Sequence, residues 1–160
     1  MPADMFLKLA DIKGESADSK HKDQIEVLSF SWGATQQSSQ NTGTGGGVSK
    51  ASIQDLHFVH HMDKSSPDLM KVLLTGKHIK DGTLVARKAG DKPLEYLKIE
   101  MKDILITSVQ YGSDHGGGVP TEQVTLSFSH VTQTYTPQKA DGSGDTAGDF
   151  KYDVKAHKMS

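Results

Sequence analysis

From Ile25 to Gln36 the chain alternates, with Leu28, Phe30 and Trp32 on one side and Val27, Ser29 and Ser31 on the other. A period of two predicts a strand whose apolar side is core. The serine side is small and polar, which suits a face looking at water or at a channel, and Gly33 ends the strongest part. The same period marks a first strand over 5–12, where Phe6, Leu7, Leu9 and Ile12 stand among polar residues, and another over 51–62, where Leu56, Phe58 and Met62 share the core face. Further strand signals lie at 78–80, at 84–88, and at Leu97, Ile99 and Met101. Another places Val124, Leu126 and Phe128 inside with Gln123, Thr125, Ser127 and Ser129 outside. Phe150, Tyr152 and Val154 alternate in a closing strand over 150–157. The alternation slips near Asp103, where Ile104, Leu105 and Ile106 run together. A β-bulge there would change the facing, and the apolar run means that both faces of the strand meet apolar surroundings.

The period changes once. Ser66 can cap a helix, Pro67 suits its first position, Asp68 complements its positive end and Gly76 closes it. Leu69, Val72 and Leu73, with Met70, form its apolar stripe. About ten residues long, it flanks or plugs a sheet and does not build a layer of its own. The stretch 15–24 is polar and reads as an exposed loop. QQSSQNTGTGGGVSK at 36–50 has four glycines and no large apolar residue except Val48, so it projects from the domain. The absence of a βαβ rhythm gives a fold class: mainly β, an antiparallel β-barrel of two packed sheets with one short flanking α-helix, as a single domain over 1–160.

Composition narrows the function. Eighteen basic and twenty acidic residues leave a net charge of −2, interleaved without a basic run that would track phosphates, so nucleic acid is not an expected partner. Cysteine is absent, which excludes a disulfide framework, a thiol nucleophile and a cysteine-ligated metal, and fits assembly in a reducing cytoplasm. No run of about 18 apolar residues predicts a spanning helix. The opening MPADMFLKLADIKGES carries acidic residues where a Sec-type signal wants a basic start, so export is expected to need dedicated machinery.

Four constellations invite chemistry. His57, His60 and His61 would converge on a metal if helical, but on a strand His57 and His61 share one side and His60 takes the other. GTGGGVSK lacks the Gly-Lys-Ser/Thr of a phosphate loop and leads into a strand. Asp141, Ser143, Asp145 and Asp149 have calcium-loop spacing, but Thr146 stands where glycine is needed and Tyr152 where a bidentate Glu belongs. No G-x-S-x-G element opens a helix. No cofactor, metal or catalytic residue is expected, and the reading is not an enzyme.

Several segments in order resemble the hemolysin-coregulated protein (Hcp) family, the tube subunit of bacterial type VI secretion systems. They are DMFLKLADIKGES, IEVLSFSWGATQ, VSKASIQDLHFVHHMDKSSPDLMKVLLTGKHI, LVARKAG, EYLKIEMKDILITSV, EQVTLSFSHV and YTPQKADG. They cover nearly the whole chain. Departures lie at 112–121 and at the C-terminal FKYDVKAHKMS, where the family pattern carries a tryptophan-containing strand.

The resemblance implies a β-barrel protomer that forms hexameric rings. The rings stack into a tube inside a contractile sheath, tipped by a spike protein and mounted on a baseplate. The tube carries effectors in its lumen and is ejected from the bacterial cytoplasm to the exterior or into a target cell, without membrane insertion. Ring closure uses two different patches on each subunit. By that resemblance Ser29 and Ser31 face the lumen. The loop of Thr42, Gly43, Thr44, Gly45, Gly46, Gly47, Val48, Ser49 and Lys50 touches the next ring, and Ile104, Ile106 and Val109 are candidates for a ring contact. The alternatives are a small secreted toxin or enzyme on the same fold, and a monomeric ligand carrier with an apolar interior.

Overall fold

The computed structural model describes residues 3–37, 51–90 and 93–160. Among them the elements are β1 (Ala3–Leu9), β2 (Ile25–Val27), β3 (Ser29–Ser31), β4 (Ala34–Thr35), β5 (Ser52–Ile53), β6 (Leu56–His61), α1 (Ser65–Thr75), β7 (Ile79–Lys88), β8 (Glu95–Gly112), β9 (Thr121–Ser127), β10 (His130–Tyr135), β11 (Gly148–Asp153) and β12 (Lys158–Met159). All the strand pairings given for them are antiparallel. The first sheet runs β12-β11-β10-β8-β7-β1-β2, and the second runs β3-β6-β9-β8. The protein is therefore mainly β, two packed antiparallel sheets with one flanking helix among the described residues, as the alternation predicts.

Two corners join the sheets. The long strand β8 is shared: its first half pairs with β7 and β10, its second half with β9. At the corner Asp103 adopts a left-handed conformation, φ 55°. That single residue changes the facing, so the buried side chains pass from Ile99 and Met101 to Ile104 and Ile106. The slip seen in the sequence is a real change of direction but not the expected β-bulge, since pairing with β7 keeps its register from Lys102 to Ile104 and the irregularity of β8 against β9 falls between Ile106 and Ser108.

The second corner is Leu28. β2 pairs with β1 in the first sheet, and β3 pairs with β6 in the second. Only Leu28 separates them, its N–H donating to the Val59 carbonyl at 2.8 Å. The barrel is therefore not closed by a continuous ladder. This corrects the expectation that Leu28 shares the core face with Phe30 and Trp32. Val27 is buried and Leu28 is 49% exposed, because the strand turns between sheets there and the alternation restarts.

Leu7, Ile25, Leu56, Phe58, Leu84, Ile99, Met101, Ile104, Ile106, Val124 and Leu126 fill the space between the sheets, and Leu69 plugs α1 onto them. Each such side chain contributes about 1.5–3 kcal/mol by leaving water. β7 runs unbroken through Gly82, where a Cβ would stand 2.8 Å from both Ile104 Cδ1 and Leu9 Cδ2. Glycine there permits the close approach, and the two strand signals at 78–80 and 84–88 are one strand.

α1 starts one residue before the expected cap. The Asp63 carboxylate accepts from the Ser65 N–H at 2.8 Å, and the Asp63 N–H donates to Ser66 Oγ at 3.1 Å, a reciprocal closure of the first turn. Gly76 ends the helix as expected, left-handed at φ 68°, with its N–H on the Leu73 carbonyl and the Lys77 N–H on the Val72 carbonyl.

Candidate functional site

The outer face of the second sheet is the strongest candidate surface. Its side chains follow from period two: wherever Phe30, Leu56, Phe58, Val124 and Leu126 turn inward, their neighbours turn outward. One row across the sheet reads Ser31, His57, Thr125 and Ser108; the next reads Ser29, Val59, Gln123 and Gln110. Ser29 and Ser31 are both exposed. His57 Nδ1 lies 3.2 Å from Thr125 Oγ1, and the Thr107 hydroxyl donates to Asp55 Oδ2 at 2.9 Å. The two rows contain no lysine, arginine or carboxylate. Such a face can hydrogen-bond weakly to many surfaces and grip none of them by fixed charge.

The histidines split as the strand reading requires. His61 is exposed and His57 half-buried on the outer face, while His60 is fully buried. His60 Nε2 meets Glu122 Oε1 at 3.2 Å, a pair buried on both sides, and Asp63 Oδ2 stands 3.8 Å from its Nδ1. Among the described residues no group of histidines and carboxylates converges as a metal site. The acidic loop at 141–149 spends its oxygens on its own turns: Asp141 Oδ1 accepts from Ser143 N–H at 2.9 Å and Ser143 Oγ at 2.6 Å, and Asp145 Oδ1 accepts from Thr146 N–H at 2.7 Å.

The proposed ring-contact residues fall elsewhere. Ile104 and Ile106 are buried in the core of their own chain, and Val109 packs against it opposite Val124. Ile104 and Ile106 thus turn their side chains into their own core and not outward as a ring contact would need, while Val109 stays half-buried. The physical reason is the left-handed Asp103, which hands the core positions to Ile104 and Ile106. Leu105, half-buried, and the exposed Thr107 and Ser108 take the other face.

The expected stacking loop, Thr42 to Lys50, lies outside the described residues. Its root is the β4–β5 hairpin, in which Ala34 faces Ile53 and Thr35 faces Ser52. Trp32 anchors that root by donating Nε1–H to the Gln54 carbonyl at 2.9 Å. Its indole is stacked near Phe150, centroids 6.5 Å apart, and tilted against Phe128 at 5.9 Å.

Several contacts escaped the sequence reading. Ser129, expected outside, is buried with its hydroxyl on Asp103. The stretch 15–24 is not a free loop, since Ser16 and His21 are buried. Arg87 binds the Asp18 carboxylate with both terminal nitrogens, its NH1 donating to Oδ2 at 3.1 Å, and lies 4.9 Å from the Phe6 ring centre. The Phe6 ring also stacks on His21, with centroids 4.5 Å apart. Arg87 and Asp18 are 69 positions apart, so no local pattern could have paired them.

Comparison with known proteins agrees with this architecture. The family model described as type VI secretion system effector, Hcp, matches residues 6–135. Protein hcp1 of Pseudomonas aeruginosa is 46% identical over 153 residues, 95% of this chain and 94% of that protein. The crystal structure of Hcp1 from Salmonella typhimurium superposes with a TM-score of 0.82 at 42% identity, covering 100% of both chains. A structure of a type six secretion system protein superposes at 0.92 with 29% identity, covering 99% of this chain and 100% of that one. The chain belongs to the Hcp family and is a structural component of type VI secretion.

Proposed function

We propose that this protein is the tube subunit of its secretion system, forming hexameric rings that stack into a tube ejected by sheath contraction. The lumen carries or chaperones effectors. The observation that carries this reading is the outer face of the second sheet, a mostly polar surface without fixed charge in the two rows that run from Ser29 and Ser31 on its edge strand β3. A ring that lines its channel with such faces holds cargo by many weak contacts and lets it go after delivery.

The partners are further copies of the chain, a spike protein at the tip, sheath and baseplate proteins, and effector cargo. Assembly takes place in the bacterial cytoplasm, and the tube is ejected to the exterior or into a target cell. The loop 42–50, carried on the β4–β5 hairpin, touches the next ring. The ring contact from β8 falls to Leu105 and Thr107 on the face that Ile104 and Ile106 leave free. The packed interior of large side chains disfavours the monomeric carrier, which needs an apolar space for its ligand.

Light scattering on the purified full chain, followed by negative-stain imaging of the main peak, tests the proposal. A species of six times the chain mass with a central hole is expected. A monomer at high concentration would overturn it.

A further inference from the structure

We infer that the polar face of the second sheet is a proton-gated surface for acidic peptide segments, with His57 and His61 as the residues that set its charge. This rests on the lumenal reading of that face and adds the chemical class it selects and the condition under which it does so.

The geometry separates these two histidines from the others. Both lie on the outer side of β6, His57 between Ser31 and Thr125 and His61 beside Thr121. Around His57 stand serine, threonine, glutamine and Val59, with no lysine, arginine or carboxylate in the two rows. Among the described residues the carboxylates near this face are Asp55, two positions before His57 on the same side of β6 and already accepting the Thr107 hydroxyl, and Asp114, in the exposed loop that follows Gly112 in the row of His61. On the opposite side of the sheet His60, Glu122 and Asp63 face one another inside the protein. Within the two rows His57 is the one side chain that can gain a positive charge, and His61 adds a second in the neighbouring row with Thr121 and Gly112.

Imidazole is the side chain whose charge changes between about pH 5 and 8. Protonation costs His57 no hydrogen bond. With both ring nitrogens carrying hydrogen, Nδ1 donates to Thr125 Oγ1, 3.2 Å away, and Nε2–H remains available to an incoming acceptor. His61 is exposed and can meet a ligand directly. The uncharged face binds through neutral hydrogen bonds alone. The protonated face adds charge-assisted bonds to carboxylates, which are the stronger kind. In a ring these charges repeat around the channel, so acidic segments bind more tightly as pH falls and basic segments are repelled.

A fluorescein-labelled oligoglutamate peptide provides the probe, its carboxylates remaining mostly charged at about pH 5.5. Fluorescence anisotropy with the full chain is expected to show binding about tenfold tighter at about pH 5.5 than at about pH 8, a few-fold from each exposed charge contact. His57→Gln with His61→Gln should remove the pH response. His61→Gln alone, at an exposed position, should reduce it without disturbing the fold. His157→Asn, exposed in the turn before β12 of the first sheet, should leave it intact. A wild-type affinity independent of pH, or a response that survives in the double variant, would overturn the inference. Light scattering on the same samples keeps the two readings apart. A monomer whose pH response disappears in the double variant would sink the ring and leave the acid-gated face standing. A ring without that response would do the reverse.

Discussion

The Ser129 hydroxyl donates to Asp103 Oδ2 at 2.7 Å, joining the left-handed corner of β8 to the short link between β9 and β10. The same carboxylate receives His78 Nδ1 at 2.7 Å from the approach to β7 and Lys155 Nζ at 3.3 Å from the turn after β11. The Ser129 bond, then those of His78 and Lys155, hold the Asp103 carboxyl well below the usual carboxylate range. One acidic residue thus fixes the corner and ties three distant segments to it.

Asp103→Asn retains a side chain that tolerates the left-handed region and can still accept a hydrogen bond, whereas Asp103→Val does neither. Thermal unfolding should rank wild type above Asp103→Asn, and Asp103→Asn above Asp103→Val. Equal midpoints for the two variants would show that the corner needs neither the backbone conformation nor the bonds.

Acid should loosen the stretch 15–24. The Arg87 hydrogen bond, aided by the Lys20 and His21 backbone N–H groups, pushes the Asp18 pKa down to about 2. A depressed folded-state pKa means that the stabilisation is full above the ordinary value near about 4 and is lost as pH falls through about 2. Urea midpoints across this window should fall more steeply for wild type than for Asp18→Asn. Parallel profiles would remove Asp18 as a cause.

His60 and Glu122 are both fully buried, so removing one strands the other in the core. His60→Ala or Glu122→Ala should each cost about 3–5 kcal/mol by urea denaturation. The double variant His60→Leu with Glu122→Leu should lose less than either, because no polar group is then left unpaired. Losses that simply add would mean that the two side chains act independently.

A large side chain at Ser31 would crowd the proposed lumen face without touching the core, since Ser31 is exposed. Ser31→Phe should therefore lower the cargo bound per ring while the mass by light scattering stays the same. Unchanged retention would count against Ser31 as a lumen residue.

Much of the scaffold was readable from local periodicity. The strand around Leu56 and Phe58, the strand around Val124 and Leu126, the Gly76 helix end, the slip at Asp103 and the division of the three histidines all follow from side-chain alternation and residue chemistry. The strand β10, HVTQTY, gave no apolar signal to find. Only Val131 is buried there, and β8 and β11 secure the strand by pairing on both sides. Ser29 and Ser31 could be placed opposite Phe30 from sequence. That His57, Thr125, Gln123 and Gln110 continue their face could not, because register joins residues that no sequence spacing relates.

The sequence by itself determined the class of fold, the helix, the family and the small polar character of one strand face, since each is written in neighbouring residues through period, capping or motif. Only the tertiary structure decided that the chain turns from one sheet to the other at Leu28, that the slip at Asp103 is such a turn, and so which residues of a mixed apolar run are core. It also paired Arg87 with Asp18, His60 with Glu122 and Ser129 with Asp103. Burial and ion pairing depend on segments far apart in the chain, and a local pattern carries alternation but not which distant surface each side will meet.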